Sequence, residues 1–483
     1  MLFYPLLCFT SLVAASPSFG SWGRLFTSAS NQLPLRTLPE LLADGISKDS
    51  FFEDKKHADE GTIWEIISNN PRFTKLTSAI KFADAVKYFD DKDADFTFFA
   101  TPDWALSREK GNCDDADLSE GDHMSEDDAT SFALVQGCHW SDVLTMSERL
   151  DTAYLRDDDK RERRKKFLKR LIQASLAYEA LPDAVDSFSL GDNTTYASKL
   201  AIPGVLDGQP LRVRVEQRLL PPSTTINFYS KVVYSDVKAT NGIIHVVNRP
   251  ILPSLSGFQT LFLLPSQFSI LTSAIQRSGL TDNVDLRYVK SDDGDGYELQ
   301  GASALTLFAP TNLAFERLPL KLRLFLFSPL GYRALRKVLE YHVVPGVVVH
   351  ADYRYNQSAD TSPDAGKAYR AGYGKVISDV HLDLSTALKD HFVHAHIKKL
   401  EYTLPVPGPN KPSAIKTEIS TNHRVVLVSD VVTSNAAVHI LDRLLDPRDS
   451  RHHDDCEGFF CHKTQESTWD DWEDWLIQWA ESD

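Results

Sequence analysis

Two groups of histidine and cysteine residues are the first candidates for metal chemistry. In the first group, His391, His394 and His396 lie close together with His381 nearby, and alternate residues of a strand share a face. No acidic or cysteine residue stands at a recognisable metal-ligand spacing from them. A solvated polar strand is therefore the preferred interpretation of this group.

The second group is denser and lies near the C-terminus. It consists of His452, His453, Cys456, Cys461 and His462. Zinc would require the two cysteines as thiolates, whereas an oxidising compartment favours a disulfide between them. The sequence therefore predicts no metal site in either group.

Catalytic motifs are absent from the sequence. It contains no nucleophile elbow, no phosphate-binding glycine loop and no zinc-protease helix motif. Its paired carboxylates lie in acidic runs that solvated charge explains. We therefore expect a protein that is not an enzyme, with no catalytic residues and no cofactor.

Half of the eight tryptophans lie in the last fifteen residues. They are Trp469, Trp472, Trp475 and Trp479. Their spacing places all four on one face of a helix, with acidic residues at most of the remaining positions. This helix would pack on the protein's own domains or bind a partner, and its acidic polar face argues against an anionic membrane.

One strongly basic run occupies residues 160–170. A solvated helix face leading into the apolar residues 171–176 is the preferred interpretation. The alternative is an electrostatic contact with an acidic segment of the same protein or with an acidic glycan, which salt would weaken.

Several features indicate the secretory pathway. The first residues are apolar and uncharged and include the small residues Val13, Ala14 and Ala15, which is typical of a cleaved signal peptide. No later apolar run is long enough for a membrane span, and the acidic C-terminus does not resemble a lipid-anchor signal. Asn193 and Asn356 begin glycosylation sequons.

Four cysteines remain if Cys8 leaves with the signal peptide. Cys113–Cys138 and Cys456–Cys461 are the simplest of the three possible pairings in an oxidising lumen, and the other pairings stay open.

The negative charge is confined to two segments. The net charge is -15, and residues 103–130 and 448–483 together account for all of it. The remainder is nearly neutral, which disfavours nucleic-acid binding because that function needs a basic face.

The chain contains an internal duplication. Four blocks return in the same order: Phe73–Ile80 as Phe268–Ile275, Phe96–Leu106 as Leu305–Phe315, Leu176–Pro182 as Leu339–Pro345, and Thr240–Arg249 as Ser434–Arg443. Unequal spacing between the blocks gives the first copy about 46 extra residues and the second about 31, which we expect on surface loops.

The pattern within each copy indicates an α+β domain with helices first and strands late. Helical spacing of apolar residues covers 63–80, and β-rich runs cover 96–100, 243–247, 305–309 and 425–428. The leucines of 318–326 alternate as in a strand but precede a helical pattern, so this segment stays undecided.

Three blocks of the second copy resemble the signature blocks of the fasciclin-like domain family. They are Leu307–Phe315, Leu339–Gly346 and Asn435–Asp442. The first copy departs from the pattern at Thr101-Pro102 and at Tyr178-Glu179. The resemblance implies two tandem domains, each a wedge of two β-sheets with flanking helices.

We accordingly expect five segments. Residues 1–18 form the signal peptide and 19–58 an N-terminal extension. Residues 59–253 form the first domain with an acidic insertion at about 107–155, and 254–447 the second with an insertion at about 352–375. Residues 448–483 form an acidic, tryptophan-rich tail.

The resemblance also implies a function. Family members are extracellular or lumenal proteins linked to adhesion, so we expect a non-enzymatic glycoprotein that binds protein or glycan partners. The resemblance places an adhesive contact at Tyr341 and His342, and we expect His245 and His439 to be hydrogen-bonded core residues. The alternative is a vacuolar lumenal protein with a housekeeping or trafficking role.

Overall fold

The computed structural model describes residues 61–106, 158–219, 222–290, 297–356, 370–371, 374–403, 413–422, 424–450 and 469–482. The described residues of 61–203 and 208–254 form one compact unit, and those of 255–482 form another together with 204–207. The division after Ser254 lies one residue from the expected boundary between the two copies.

The helices of the first unit flank its first strand in sequence. They are α1 (Ile63–Asn69), α2 (Thr74–Phe82), α3 (Val86–Phe89), α4 (Asp103–Leu106) and α5 (Asp158–Tyr178). Helix α1 begins at a capping box, in which the Thr62 hydroxyl accepts from Glu65 N–H and the Glu65 carboxylate accepts from Thr62 N–H at 2.9 Å. The helical spacing of apolar residues in 63–80 thus predicted α1 and α2 correctly.

Seven strands of the first unit form one sheet in the order β2-β1-β7-β6-β5-β4-β3. They are β1 (Phe96–Ala100), β2 (Ala180–Leu181), β3 (Thr195–Ala201), β4 (Pro210–Leu219), β5 (Pro222–Ile226), β6 (Ser230–Ala239) and β7 (Gly242–Val247). Strand β1 is buried along its whole length and pairs in parallel with β7, the last strand of the unit. The sheet therefore joins the beginning of the copy to its end.

The core of the first unit lies between helices α1, α2 and α5 and the strands β1 and β7. It includes Ile67 of α1, Leu76 of α2, Ile172 of α5, Phe98 of β1 and Val246 of β7, all fully buried. Burying each such side chain contributes about 1.5–3 kcal/mol. The apolar face of each helix is thus what attaches it to the sheet.

The described residues of the second unit contain helices both before and after its first strands, and one at the end of the chain. They are α6 (Gly257–Phe262), α7 (Pro265–Arg277), α8 (Thr281–Val284), α9 (Asn312–Glu316), α10 (Leu320–Leu326), α11 (Tyr332–Tyr341) and α12 (Trp472–Glu481). None of the helices in the described part of the chain is long and apolar enough to cross a membrane.

Most of the leucine-rich segment 318–326 is a helix, α10, which begins at Leu320. In α10, Leu322 and Leu326 are buried while Leu320 and Leu324 are exposed, so each pair is spaced by four residues. Alternation along the sequence is therefore compatible with a helix, because residues four apart share a helical face.

The strands of the second unit form two larger sheets and two hairpins. They are β8 (Leu286–Lys290), β9 (Tyr297–Gly301), β10 (Leu305–Pro310), β11 (Val343–Pro345), β12 (Val347–Val349), β13 (Arg354–Asn356), β14 (Arg370–Ala371), β15 (Gly374–Ser385), β16 (Phe392–Thr403), β17 (Ser413–Thr421), β18 (Arg424–Val425), β19 (Val428–Val432) and β20 (Ala436–Leu441). The sheets have the orders β11-β10-β20-β19 and β14-β15-β16-β17-β18, and β12-β13 and β8-β9 are the hairpins.

The single strand predicted over 425–428 is wrong. The segment is divided between β18, at the edge of the five-stranded sheet, and β19, at the edge of the four-stranded one. Val426 N–H donates to Ile419 and Leu427 N–H to Ile440, so the chain changes sheets between these two residues.

The duplication is visible in the sheets. The order β2-β1-β7-β6 of the first unit returns as β11-β10-β20-β19 in the second, with the same parallel pairing of the first and last long strands. Each unit combines this sheet with flanking helices, which is the α+β architecture that the sequence predicted.

Candidate functional site

Tyr341 and His342 lie at the centre of the second unit. Helix α11 ends at Tyr341, His342 caps it, and β11 follows. The Tyr341 hydroxyl donates to the Phe392 carbonyl at 3.0 Å and accepts from Asn422 Nδ2 at 2.8 Å. The hydroxyl of this buried tyrosine thus acts as both donor and acceptor within the domain.

The His342 imidazole is also held on both sides. Its Nδ1 lies 2.7 Å from the Val338 carbonyl, and its Nε2 accepts from Leu445 N–H at 2.9 Å. Because Leu445 N–H can only donate, Nδ1 carries the proton. Burial lowers the pKa of His342 to about 4, against the raising effect of the bond to Val338.

Burial decides which groups here can meet a partner. Tyr341 and His342 are fully buried, so the adhesive contact expected at them cannot be made by these two side chains in this conformation. Phe392, whose carbonyl accepts the hydrogen bond from the Tyr341 hydroxyl, is 46% exposed. The His391 ring stands edge-on to Tyr341 and to Trp479, with centroids 6.2 and 6.3 Å apart. An exposed aromatic side chain, Phe392, thus lies beside the buried centre.

The first unit builds the same centre around Tyr178. Its hydroxyl donates to the Arg212 carbonyl at 2.9 Å and accepts from Asn227 Nδ2 at 3.0 Å, and Ser254 Oγ lies at 2.8 Å. Asn227 therefore corresponds to Asn422, and both have a positive φ of about 45°. The sequence did not reveal this asparagine, because it lies in a turn outside the repeated blocks.

Glu179 replaces the histidine of the second unit. Its Oε1 accepts from Ile251 N–H at 3.0 Å, as His342 accepts from Leu445 N–H. Burial raises the pKa of Glu179 to about 8, outweighing the lowering by the hydrogen bond from Ile251 N–H. Among the described residues, no group hydrogen-bonds to Oε2. The first unit therefore has a protonated carboxyl where the second unit has a neutral imidazole. Both side chains accept a hydrogen bond from a backbone N–H.

His245 and His439 are core residues with one pattern of contacts. Nε2 of His245 lies 2.9 Å from the Val185 carbonyl, and Nε2 of His439 lies 2.8 Å from the Val349 carbonyl. Burial lowers the pKa of both imidazoles. Their contacts are structural.

A buried asparagine ties the two ends of each copy together. Asn435 Oδ1 accepts from Gly257 N–H at 2.8 Å, and its Nδ2 donates to the carbonyls of Val284 and Ala302. Asn241 makes the corresponding bonds to Ile63 N–H and to two carbonyls in the first unit.

The tryptophan segment lies on the second unit. A 3-10 turn (Trp469–Asp471) leads into α12, and Trp469 and Trp472 are buried. The Trp472 ring stacks on Phe325 of α10 at 5.1 Å, and Lys337 of α11 donates to the Trp479 carbonyl at 2.9 Å. The segment therefore packs on its own chain along two helices.

Arg448 fixes the start of the tryptophan segment. Its guanidinium forms two hydrogen bonds to the Asp471 carboxylate, at 2.6 and 3.1 Å, and also contacts Asp446. It lies 4.3 Å from the centroid of the Trp475 ring, a cation–π distance.

The basic run lies on α5. Lys165, Lys166 and Arg170 are exposed there, while Leu168, Leu171 and Ile172 are buried, and Lys169 forms an ion pair with Asp84 of the same unit. This arrangement fits the preferred interpretation of a solvated helix face.

The structure describes the asparagine of each glycosylation sequon and none of the four cysteines expected to form disulfides. Asn193 is half-buried between a 3-10 turn (Ser189–Gly191) and β3, and Asn356 ends β13. Cys113, Cys138, Cys456 and Cys461 lie outside the described residues, as do the signal peptide and the acidic insertion.

The histidine group of the sequence is divided by the structure. His381, His394 and His396 lie on one face of the β15–β16 pair, while His391 belongs to the turn beside Tyr341. Asp379 joins them on that face, and sequence spacing had missed it because the contact is made across strands.

Comparison with known proteins gives the family. The model of the fasciclin domain matches residues 153–253 and 266–447, more than half of the chain and part of each copy. The chain belongs to the fasciclin domain family. The match to the first fasciclin domain begins at residue 153, near the end of the acidic insertion, so α1, α2 and β1 precede it.

Several proteins are similar to this fasciclin-domain chain. Aurofusarin biosynthesis cluster protein S of Gibberella zeae is 24% identical over 304 residues, covering 62% of this chain and 58% of that protein. Stabilin-2 of Rattus norvegicus is 27% identical over 181 residues, 37% of this chain and 12% of that protein. The chain thus spans less than two thirds of the length of these relatives.

A solved structure is also similar. The FAS1 domain pair from the insect cell adhesion molecule fasciclin I is 13% identical, covers 80% of this chain and 97% of that chain, and has a TM-score of 0.28.

Proposed function

We propose that the chain is a non-enzymatic protein of the secretory pathway that mediates adhesion by binding protein or glycan partners through its fasciclin domains. The family match to both copies carries this proposal, because fasciclin domains are linked to adhesion in relatives. The buried tyrosines and histidines of both units are engaged in hydrogen bonds within their own unit, so we place the contact with a partner on exposed residues instead.

The contact surface that we propose is the aromatic cover of the Tyr341 centre. Phe392 is its exposed member, and His391 and Trp479 border it. Exposed aromatic side chains supply large apolar area at small conformational cost, which suits them to both protein and sugar surfaces. The buried Tyr341 would then position the cover through its hydrogen bond to the Phe392 carbonyl.

The first experiment is fractionation of the untagged protein with glycosidase treatment of each fraction. We expect a glycosylated protein in the medium or at the cell surface, with a smaller mass shift after Asn193→Gln. An unglycosylated cytosolic protein would contradict the proposed route.

The second experiment is bead aggregation with the purified full-length chain. We expect Phe392→Ser to reduce aggregation and Leu330→Ser to leave it unchanged, because Leu330 is an equally apolar but more exposed residue in the loop between α10 and α11. Equal loss in both variants would show general surface hydrophobicity and refute the specific surface.

A further inference from the structure

The outer face of the β15–β16 pair carries the strongest cluster of potential metal ligands in the described part of the chain. The inward residues Leu384, Val393, Ala395 and Ile397 belong to the core of the second unit. Because side chains alternate along a strand, Asp379, His381 and His396 point away from that core. Their role is therefore not explained by packing.

The register of the two strands brings these residues together. His381 lies directly opposite His396, and Asp379 lies two residues before His381 on the same face. The two imidazole rings are stacked with centroids 4.0 Å apart and an angle of 14° between their planes. The two rings are therefore in direct contact.

The ligand atoms converge on one side of this pair. A carboxylate oxygen of Asp379 hydrogen-bonds to Nε2 of His396 and lies 3.5 Å from Nε2 of His381. One ligand atom from each residue lies within 4.8 Å of the others. Ligands bound at about 2.0–2.2 Å from a tetrahedral zinc ion are roughly 3.3–3.5 Å from one another. The ligand atoms are therefore close enough to surround one ion once the two rings rotate out of their stack, because a bound ion lies in the plane of each imidazole.

We propose that Asp379, His381 and His396 bind a divalent transition-metal ion of the zinc type on the outer face of the β15–β16 pair. Imidazole ligands select zinc, copper or nickel over calcium and magnesium, which prefer oxygen ligands. Three protein ligands leave at least one coordination position open to water or to a group from outside the chain.

The pair is accessible to an ion from outside the chain. The His381 side chain is 76% exposed, so an ion can reach the pair from solvent.

The next pair along the same two strands provides a matched control. Asp383 lies opposite His394, and its carboxylate oxygen is 2.5 Å from the imidazole Nδ1. This pair repeats the carboxylate–imidazole contact, and its register position places a carboxylate opposite the histidine where the proposed site has two histidines opposite each other. The proposal therefore predicts binding at the first pair and not at the second.

The test is a Co²⁺ titration of the untagged, metal-stripped full-length chain, followed by visible absorption and by competition with Zn²⁺. His452, His453 and His462 are replaced by Gln in every sample, because their segment also contains metal-binding residue types. We expect a single site, and a loss of affinity of at least about 10-fold for Asp379→Asn, His381→Ala or His396→Gln.

The control variant is Asp383→Asn with His394→Gln, and we expect its affinity to be unchanged. Unchanged binding in His381→Ala and His396→Gln would overturn the proposal, as would equal losses in the control. Circular dichroism in chelator distinguishes loss of a ligand from loss of the fold, and His381→Ala should preserve the fold because its side chain is exposed.

Discussion

The replacement Glu179→Gln tests the assignment of a protonated carboxyl in the core of the first fasciclin domain. Glu179 is fully buried, and its Oε1 accepts from Ile251 N–H at 3.0 Å. Glutamine can keep that acceptor and remains neutral at every pH. The variant therefore removes the ionisation and retains the hydrogen bond.

The magnitude follows from the pKa in the two states. Below pH 4.5 the Glu179 carboxyl is protonated in the folded and the unfolded chain, and burial keeps it protonated in the folded chain up to a pKa of about 8. Between these values the unfolded state binds fewer protons, so stability falls as the pH rises. Each pH unit costs about 1.4 kcal/mol, and the whole window roughly 5 kcal/mol.

Calorimetry of the full-length chain between pH 5 and 8 measures this effect. We expect the unfolding free energy of the first domain to fall with pH in the wild type relative to Glu179→Gln. Asp186→Asn is the control. A hydrogen bond from Ser189 N–H lowers the pKa of that nearly exposed carboxyl, which is therefore ionised throughout the range in both states. Parallel pH profiles for wild type and Glu179→Gln would refute the reasoning.

Three further predictions concern the second centre, the strand start and the tail. Burial holds the pKa of His342 near 4, so the free energy of unfolding of the wild type should fall by roughly 3 kcal/mol relative to His342→Gln as the pH falls from 6.5 to 4. Denaturant unfolding at both pH values measures this difference, and equal losses in the two proteins would contradict it. Gly242→Ala should lower the free energy of unfolding by about 2–5 kcal/mol, because the φ of Gly242 is +144° and a Cβ would lie 1.9 Å from the Phe96 carbonyl oxygen. Ala436→Gly, at the corresponding position of the second copy, should lower it by about 1 kcal/mol or less, and thermal unfolding measures both. Trp472→Ala removes the stacking on Phe325 and should make α12 faster to cleave in limited proteolysis, and an unchanged cleavage rate would show that α12 does not depend on this contact.

The parts of the fold that could be predicted are those with a local signal or an internal copy. Strands β1 and β10 are short β-rich runs ended by a turn, and α1 and α2 show the helical spacing directly. The duplication added more, because it assigned the same role to His245 and His439 before any contact was known.

The features that could not be predicted depend on residues brought together by distant segments. Asn422 reaches Tyr341, and Ile251 reaches Glu179, from strands and turns that no sequence spacing connects to them. Asp379 was missed for the same reason, since only the strand register places it beside His396. The change of sheets between Val426 and Leu427 likewise depends on strands that are distant in sequence.

The asparagine that ties the ends of each copy has a consequence for synthesis. Asn435 bonds to Gly257, 178 residues earlier, and its strand β20 lies between β10 and β19 in the sheet. A nascent second domain therefore lacks a central strand until residue 441 has left the ribosome. Closing a loop costs only about 0.6 kcal/mol more for each doubling of its length, so the long insertions scarcely change the final stability. Instead, they lengthen the time during which the apolar strands of the nascent domain are exposed to solvent. We expect a chain that ends before β20 to depend on chaperones and to be degraded.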